Sequence, residues 1–233
     1  MNICVIPARG GSKRIPKKNI KEFNGRPIIA YSIEAALKSN CFSKVIVSTD
    51  DREIAEVAEK FGAHVPFVRP FELSNDYAGT IPVIKHAINW MEKTNKKFDN
   101  VCCLYATAPF IQPKIISKAY HQLLESKKDF CFSITSFPFP IQRAIKIDQN
   151  NEMNMFYPEY FNKRSQDLDE SFHDAGQFYW GKVQAFKDEL PIFSEASSPY
   201  VLPRHLVQDI DTMEDWVRAE IMFKVLLETE GSV

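Results

Sequence analysis

The stretch NICVIPARGGSKRIPKKN, Asn2 to Asn19, joins a short apolar run to a glycine-rich, strongly cationic loop. NICVIPA (2–8) reads as a buried strand. The loop after it carries Arg9, Lys13, Arg14, Lys17 and Lys18 and no acidic residue. In open parallel sheets, ligands sit beyond the carboxyl ends of the strands. Glycine lets backbone N–H groups approach phosphate closely, and arginine and lysine add charge. The loop matches neither GxxxxGK[ST] nor GxGxxG. It reads either as a phosphate site or as a solvated basic loop.

The rest of the chain repeats the strand-then-helix pattern. Ile29, Ile33, Ala36 and Leu37 keep helical spacing, and KVIVST (44–49) is a second strand ending at Asp50. Ile54, Val57, Ala58 and Phe61 share one face of the next helix, and VPFV (65–68) reads as a third strand. Ile84, Ala87, Ile88 and Met91 mark a helix, NVCCLY (100–105) a strand, 113–125 a helix and FCFSIT (130–135) a strand. Strands apolar throughout, alternating with helices, predict a Rossmann-like three-layer α/β/α fold with a mostly parallel sheet. The pattern breaks after Ser136, and 137–172 reads as a long surface loop, a protruding arm or a small subdomain within a single domain spanning 1–233. FYWGKVQAF (178–186) and VLPRHLVQDID (201–211) return to the core pattern, and a last helix runs from about Thr212 to Glu228.

Composition excludes several classes. The chain has 233 residues and a net charge of −1, so nothing draws it as a whole to nucleic acid or to an anionic membrane. MNICVIPAR has no long apolar segment after a basic start, so no signal peptide is expected, and no stretch is long enough to span a bilayer. The five cysteines are odd in number, and four lie in strand-like runs; they read as free thiols of a cytoplasmic protein.

Three further stretches carry chemistry. In QDIDT (208–212), a strand would put Asp209 and Asp211 on one face, a pairing that a divalent cation such as Mg²⁺ relieves. The other reading is a strand end, with Asp211 or Thr212 capping the last helix. In RPFELSNDYAGT (69–80), Arg69 stands at a strand end, as a ligand or as a surface residue; Asp50, with Thr49, has the reading of a helix cap. KRSQDLDESFHDAGQFYWG (163–181) mixes Arg164, Gln166, His173, Asp174, Gln177 and Tyr179 with aromatics. Such a mix suits a polyhydroxylated ligand or an oligomer contact.

Together, IPARGGSKRIPKKN, RPFELSNDYAGT, LYATAPF (104–110) and QDIDT(x₃)W(x₂)AE resemble the bacterial cytidylyltransferases that activate nine-carbon sugar acids, the CMP-sialic acid synthetase-like family. The resemblance runs nearly end to end. FPFPIQRA (137–144) and YFNKRSQDL…FHDAGQFYWG look closest to the branch acting on pseudaminic acid. Sialic acid synthetases usually carry Gln-Pro where this chain has Tyr105 and Ala106, which turns the expectation away from sialic acid and leaves the nucleotide site untouched.

The resemblance implies roles. Ala8, Arg9, Gly10, Gly11, Ser12 and Lys13 would cradle the CTP phosphates; Lys18 and Asn19 would reach the nucleotide; Arg69 and Thr80 would line the cytosine and ribose pocket. Asp209 and Asp211 would ligate Mg²⁺. Tyr105, Ala106, Arg143, Arg164, Gln166, His173, Gln177 and Tyr179 would face the sugar acid, with Arg143 or Arg164 on its carboxylate. Arg9, Lys18 and Asp211 would act in catalysis, and Asp211, or a water held by its metal, would take the attacking proton. A homodimer is implied, in which one subunit's arm closes its neighbour's site; the product would feed glycosylation of flagellin or another surface glycan. Sialic or legionaminic acid as substrate, and an inactive nucleotide-binding scaffold, are the alternatives.

Overall fold

The structure, a computed structural model, describes residues 1–95 and 97–230. In chain order it runs β1 (Asn2–Pro7), β2 (Glu22–Phe23), β3 (Arg26–Pro27), α1 (Ile28–Lys38), β4 (Lys44–Ser48) and α2 (Arg52–Lys60). Then come α3 (Thr80–Glu92), β5 (Asn100–Leu104), α4 (Pro113–Ser126), β6 (Phe130–Ser136), β7 (Ile145–Ile147) and β8 (Met153–Met155). The chain continues with β9 (Phe172–Lys182), α5 (Val183–Lys187), β10 (Ser197–Val201) and α6 (Met213–Glu230).

Six strands form the central sheet in the order β10-β6-β9-β5-β1-β4. Neighbouring pairs are parallel except where β9 runs antiparallel between β5 and β6. Side-chain alternation splits the core in two. Cys4, Ile6, Val45, Val47, Cys102 and Leu104 face α1, α2, α4 and α6. Ile3, Val5, Ile46, Val101 and Cys103 face α3 and α5. With both faces covered, no strand needs a polar side, which is why these runs are apolar throughout.

Three expectations change. Residues 65–68 form no strand: beside β4 there are only isolated bridges at His64 and Val68, and Pro66 between them has no N–H to donate. Residues 207–211 also form no strand; a short turn at Arg204–Leu206 follows β10. Ile210 is still fully buried between two solvent-accessible aspartates, so the alternation survives without the ladder. Finally, β9 begins at Phe172 and takes in a stretch that its polar composition disguised.

Between β6 and β9 the chain leaves the sheet. Ser136 pairs with Phe172 at the base of this excursion, and β7 and β8 form an antiparallel hairpin within it. Among the described residues, all five cysteines are free, four of them buried.

Candidate active site

The loop after β1 is held from below. The Asn19 side chain donates to the Arg9 carbonyl at 2.9 Å, and Ile15 is buried beneath the turn. The Gly10 N–H donates to Asp50 at 3.0 Å. A Cβ on Gly10 would lie 2.6 Å from an Asp51 oxygen, so only glycine fits there. Asp51, rather than Asp50, caps α2, accepting from the Ile54 N–H at 3.1 Å. Asp50 is thereby left to face the loop.

Above the loop opens a cavity of about 260 Å³. Arg9, Ser12, Lys18, Asn19, Arg69 and Thr80 all line it, joined by Tyr105, Ala106 and Asp211. Ala8, Gly10, Gly11 and Lys13 stand outside that lining. Arg69 is 4% exposed. Its Nε and Nη2 find no hydrogen-bond partner among the described residues, and Asp50 lies 3.6 Å from Nη2. Burial pushes its pKa down, and Asp50 only partly restores it. A buried cation whose one ion-pair partner is too distant for a hydrogen bond is costly, and such groups cluster at functional sites.

The loop cations are paired with acids. Arg9 and Lys13 hold the two oxygens of Asp76 at 2.5 and 2.6 Å. Arg14 reaches Asp211 at 2.8 Å; Lys18 donates to the Ile210 carbonyl at 2.6 Å and lies 3.5 Å from Asp211. Lys17 pairs with Glu53. Asp76 was not among the candidate residues. It lies 67 residues from Arg9, and no local pattern brings the two together.

Asp211 lines the cavity above the loop; Asp209 does not, and joins Asp211 in the lining of a neighbouring one. The Asp209 pKa is raised, first by partial burial and then by the neighbouring Asp211 carboxylate. The next turn holds Asp211 in place. Asp215 accepts from the Asp211 N–H at 3.1 Å and from the Thr212 N–H at 2.8 Å, while the Thr212 hydroxyl accepts from the Asp215 N–H at 3.2 Å. This reciprocal cap on α6 makes Thr212 the helix cap. Among the described residues, no group of three or more His, Cys, Asp or Glu is placed to hold a metal. Two adjacent carboxylates with one destabilised in its charged form still fit Mg²⁺, which commonly takes one or two carboxylates and completes its shell with water and substrate phosphate.

A second cavity, about 390 Å³, opens beyond Thr80 and Tyr105. The Thr80 and Tyr105 hydroxyls are 2.9 Å apart, and the Tyr105 ring lies 5.4 Å from that of Tyr179. Burial raises the Tyr105 pKa to about 12 and drives that of Tyr179 higher still. The Tyr179 hydroxyl donates to Asp174, which also accepts from the Gly176 N–H at 2.9 Å. A register shift opposite Ser133 lets Asp174 and Tyr179, five residues apart on β9, meet in this cavity. Ile192 and Phe193 supply an apolar wall.

The remaining candidates scatter. His173 lines a third cavity, about 600 Å³, with Asp209, Asp211 and Arg204; its Nδ1 lies 2.8 Å from the Asp174 carbonyl oxygen. Gln177 is buried, and its amide donates to the Leu206 carbonyl, bracing the turn before the paired aspartates. Arg143 bonds Ser165 at 3.3 Å, and Arg164 pairs with Asp167 at 2.7 Å, both inside the excursion. With Gln166 they line none of the three cavities.

A doubly covered sheet that gathers a cationic glycine loop and paired carboxylates at one mouth is the frame of a nucleotidyltransferase. The family model for cytidylyltransferases matches residues 3–214, and the chain belongs to that family. It is 50% identical over 224 residues to a pseudaminic acid cytidylyltransferase of Campylobacter jejuni, covering 96% of this chain and 97% of that one. It is 32% identical to a CMP-N,N′-diacetyllegionaminic acid synthase of Legionella pneumophila, over 96% of each chain. Among solved structures, a CMP:2-keto-3-deoxy-manno-octonic acid synthetase complexed with CTP superposes with a TM-score of 0.70 at 16% identity, covering 97% of this chain and 99% of that one. That likeness is one of fold.

Proposed function

We propose that the protein transfers CMP from CTP to pseudaminic acid and releases pyrophosphate. The observation that carries this reading is the 50% identity, nearly end to end, with the Campylobacter jejuni relative of that name. The local geometry supports it. Arg9, Ser12 and Lys18 face one cavity with the buried Arg69 guanidinium, two of whose nitrogens make no hydrogen bond, as a triphosphate nucleotide requires. The adjoining cavity joins tyrosine hydroxyls to an apolar wall, which suits a deoxy, acylamino sugar.

In this reading CTP seats its phosphates on the loop, with Arg9 and Lys13 toward the leaving pyrophosphate and Lys18 nearer the α-phosphate. Arg69 and Thr80 hold the nucleoside. Asp209 and Asp211 would hold Mg²⁺, which supplies charge neutralisation at the phosphates. Asp211 receives the proton of the attacking anomeric hydroxyl. The remaining work is positioning: the loop fixes the α-phosphorus, and Tyr105 and Tyr179 orient the sugar. The excursion at 137–172 is the arm of a homodimer and brings Arg143, Arg164 and Gln166 to the neighbour's sugar acid. The enzyme works in the cytoplasm, and its product donates sugar to flagellin or another surface glycan.

The test is a panel of pseudaminic, legionaminic and sialic acids with CTP and Mg²⁺, read by pyrophosphate release and product mass. CMP-pseudaminic acid should dominate. Release with sialic or legionaminic acid alone overturns the substrate, and no release with any acid overturns the enzyme reading.

A further inference from the structure

Asp76 bridges Arg9 and Lys13 with both carboxylate oxygens. A carboxylate and a phosphate are recognised by cations through the same charge-assisted bonds. Asp76 therefore stands where the proposed function puts the outer phosphates. The segment that carries it belongs to the same mouth: Ala78, Gly79 and Thr80 form part of the cavity wall. The segment is also lightly anchored. Phe71 is 87% and Tyr77 96% exposed, so few apolar contacts hold it down. Its turn is self-contained, with the Asn75 side chain accepting from the N–H groups of Tyr77 and Ala78 at 2.8 and 3.0 Å. Lys13 is 80% exposed, and Arg9 and Asp76 are 35% and 38% exposed, so both pairs remain in reach of water, which weakens them and lets them exchange.

We propose that Asp76 is an internal competitor for the phosphate site, occupying Arg9 and Lys13 until the triphosphate displaces it and reclaiming them to help expel pyrophosphate. This rests on the nucleotide-site reading above. A loop that grips a triphosphate also grips pyrophosphate, because both present the same terminal groups. The product leaves faster if the cations have another anion to return to. Asp76 carries a single charge, so a polyphosphate outcompetes it on entry. As the product departs, Asp76 neutralises the two cations in its place. No bond is made or broken in this exchange.

The test is calorimetric titration of the full chain with pyrophosphate, and separately with CTP, in Mg²⁺ buffer at low ionic strength. Asp76→Asn should bind both ligands about three- to tenfold more tightly, the scale of two exposed ion pairs. Its inhibition constant for pyrophosphate in turnover should fall by the same factor. Asp76→Glu, which keeps the charge, should stay near the wild type. Glu72→Gln removes a charge from the same segment without touching either cation and should leave both affinities unchanged. Equal or weaker binding by a folded Asp76→Asn overturns the proposal, since Asp76 would then be positioning the cations. A matching gain in Glu72→Gln overturns it too, as a general charge effect. A wild type that binds neither ligand removes the nucleotide-site reading, and Asp76 falls with it; intact wild-type binding with no gain in the variant removes Asp76 alone.

Discussion

Arg69 shows how far this site departs from a structure built for stability. A guanidinium at 4% exposure, with two nitrogens that make no hydrogen bond and only the Asp50 carboxylate 3.6 Å away, is a group that folding alone would replace. Arg69→Met keeps the length and apolar stem and removes the charge. We expect its apo melting temperature to match or exceed the wild type, while CTP affinity falls at least about tenfold, the loss of one charge-assisted contact. Differential scanning fluorimetry and a CTP titration read the two effects; a clear fall in melting temperature would mean Arg69 is a structural residue. At this scale the sequence was partly legible. The loop's cations and the paired aspartates announce themselves by composition and spacing. Asp76 does not, because it acquires its role from partners that only the folded chain supplies; Asp174 stands out only within a polar mix, and its bond to Tyr179 needs the folded strand. Asp50 and Asp51 were indistinguishable in sequence; the difference is that Asp51 reaches the Ile54 N–H and Asp50 reaches that of Gly10.

Among the elements, α6 does more than cover the sheet, because its first turn fixes Asp211. The Asp215 carboxylate takes three donors there: the N–H groups of Asp211 and Thr212 and the Thr212 hydroxyl. The Thr212 hydroxyl, foremost among these bonds, holds the Asp215 pKa below its ordinary value of 3.8. A carboxylate whose pKa is lower in the folded chain stabilises it above the unfolded value, and that stabilisation is lost as pH falls through the folded one. Asp215→Ala should therefore lower the melting temperature at pH 7 by about 2–4 °C, as expected for a lost cap in a protein of this size. The gap should narrow below about pH 4, where the wild-type carboxylate starts to protonate. Melting curves across pH check this; a gap that does not depend on pH would mean that the carboxylate's charge plays no part. The elements legible in sequence were those with an unbroken apolar run, such as β1 and β5, or with clear helical spacing, such as α3. β9 was harder, since its first half faces a site and carries polar residues, and residues 65–68 looked like a strand whose ladder Pro66 forbids.

At the scale of the whole molecule, the excursion between β6 and β9 is out of proportion to what its own chain asks of it. Phe139 is 79% exposed, and Ile147, Met153 and Phe161 are exposed with it. Loss of periodicity after Ser136 marked this segment in the sequence, yet its use was not legible, because apolar residues that pack against another chain follow no pattern within their own. Arg143 and Arg164 sit there too, away from the cavities they were expected to line. The proposed second copy of the chain would account for both facts at once: it would cover the apolar side chains and receive the two arginines. Exposed apolar clusters of this kind mark interfaces more often than free surface. Ile147→Asp together with Phe161→Asp places two charges on the exposed apolar positions of the excursion without disturbing the sheet. Light scattering should find a dimer for the wild type and a monomer for the double variant. CTP binding should survive in the monomer, because the loop, Arg69 and the paired aspartates all belong to one chain. Turnover should fall at least about tenfold, with the loss falling on the sugar acid's KM before that of CTP. A wild type that is already monomeric, or a monomeric variant with full turnover, would show that each chain completes its sugar site alone and that Arg143 and Arg164 have no part in it.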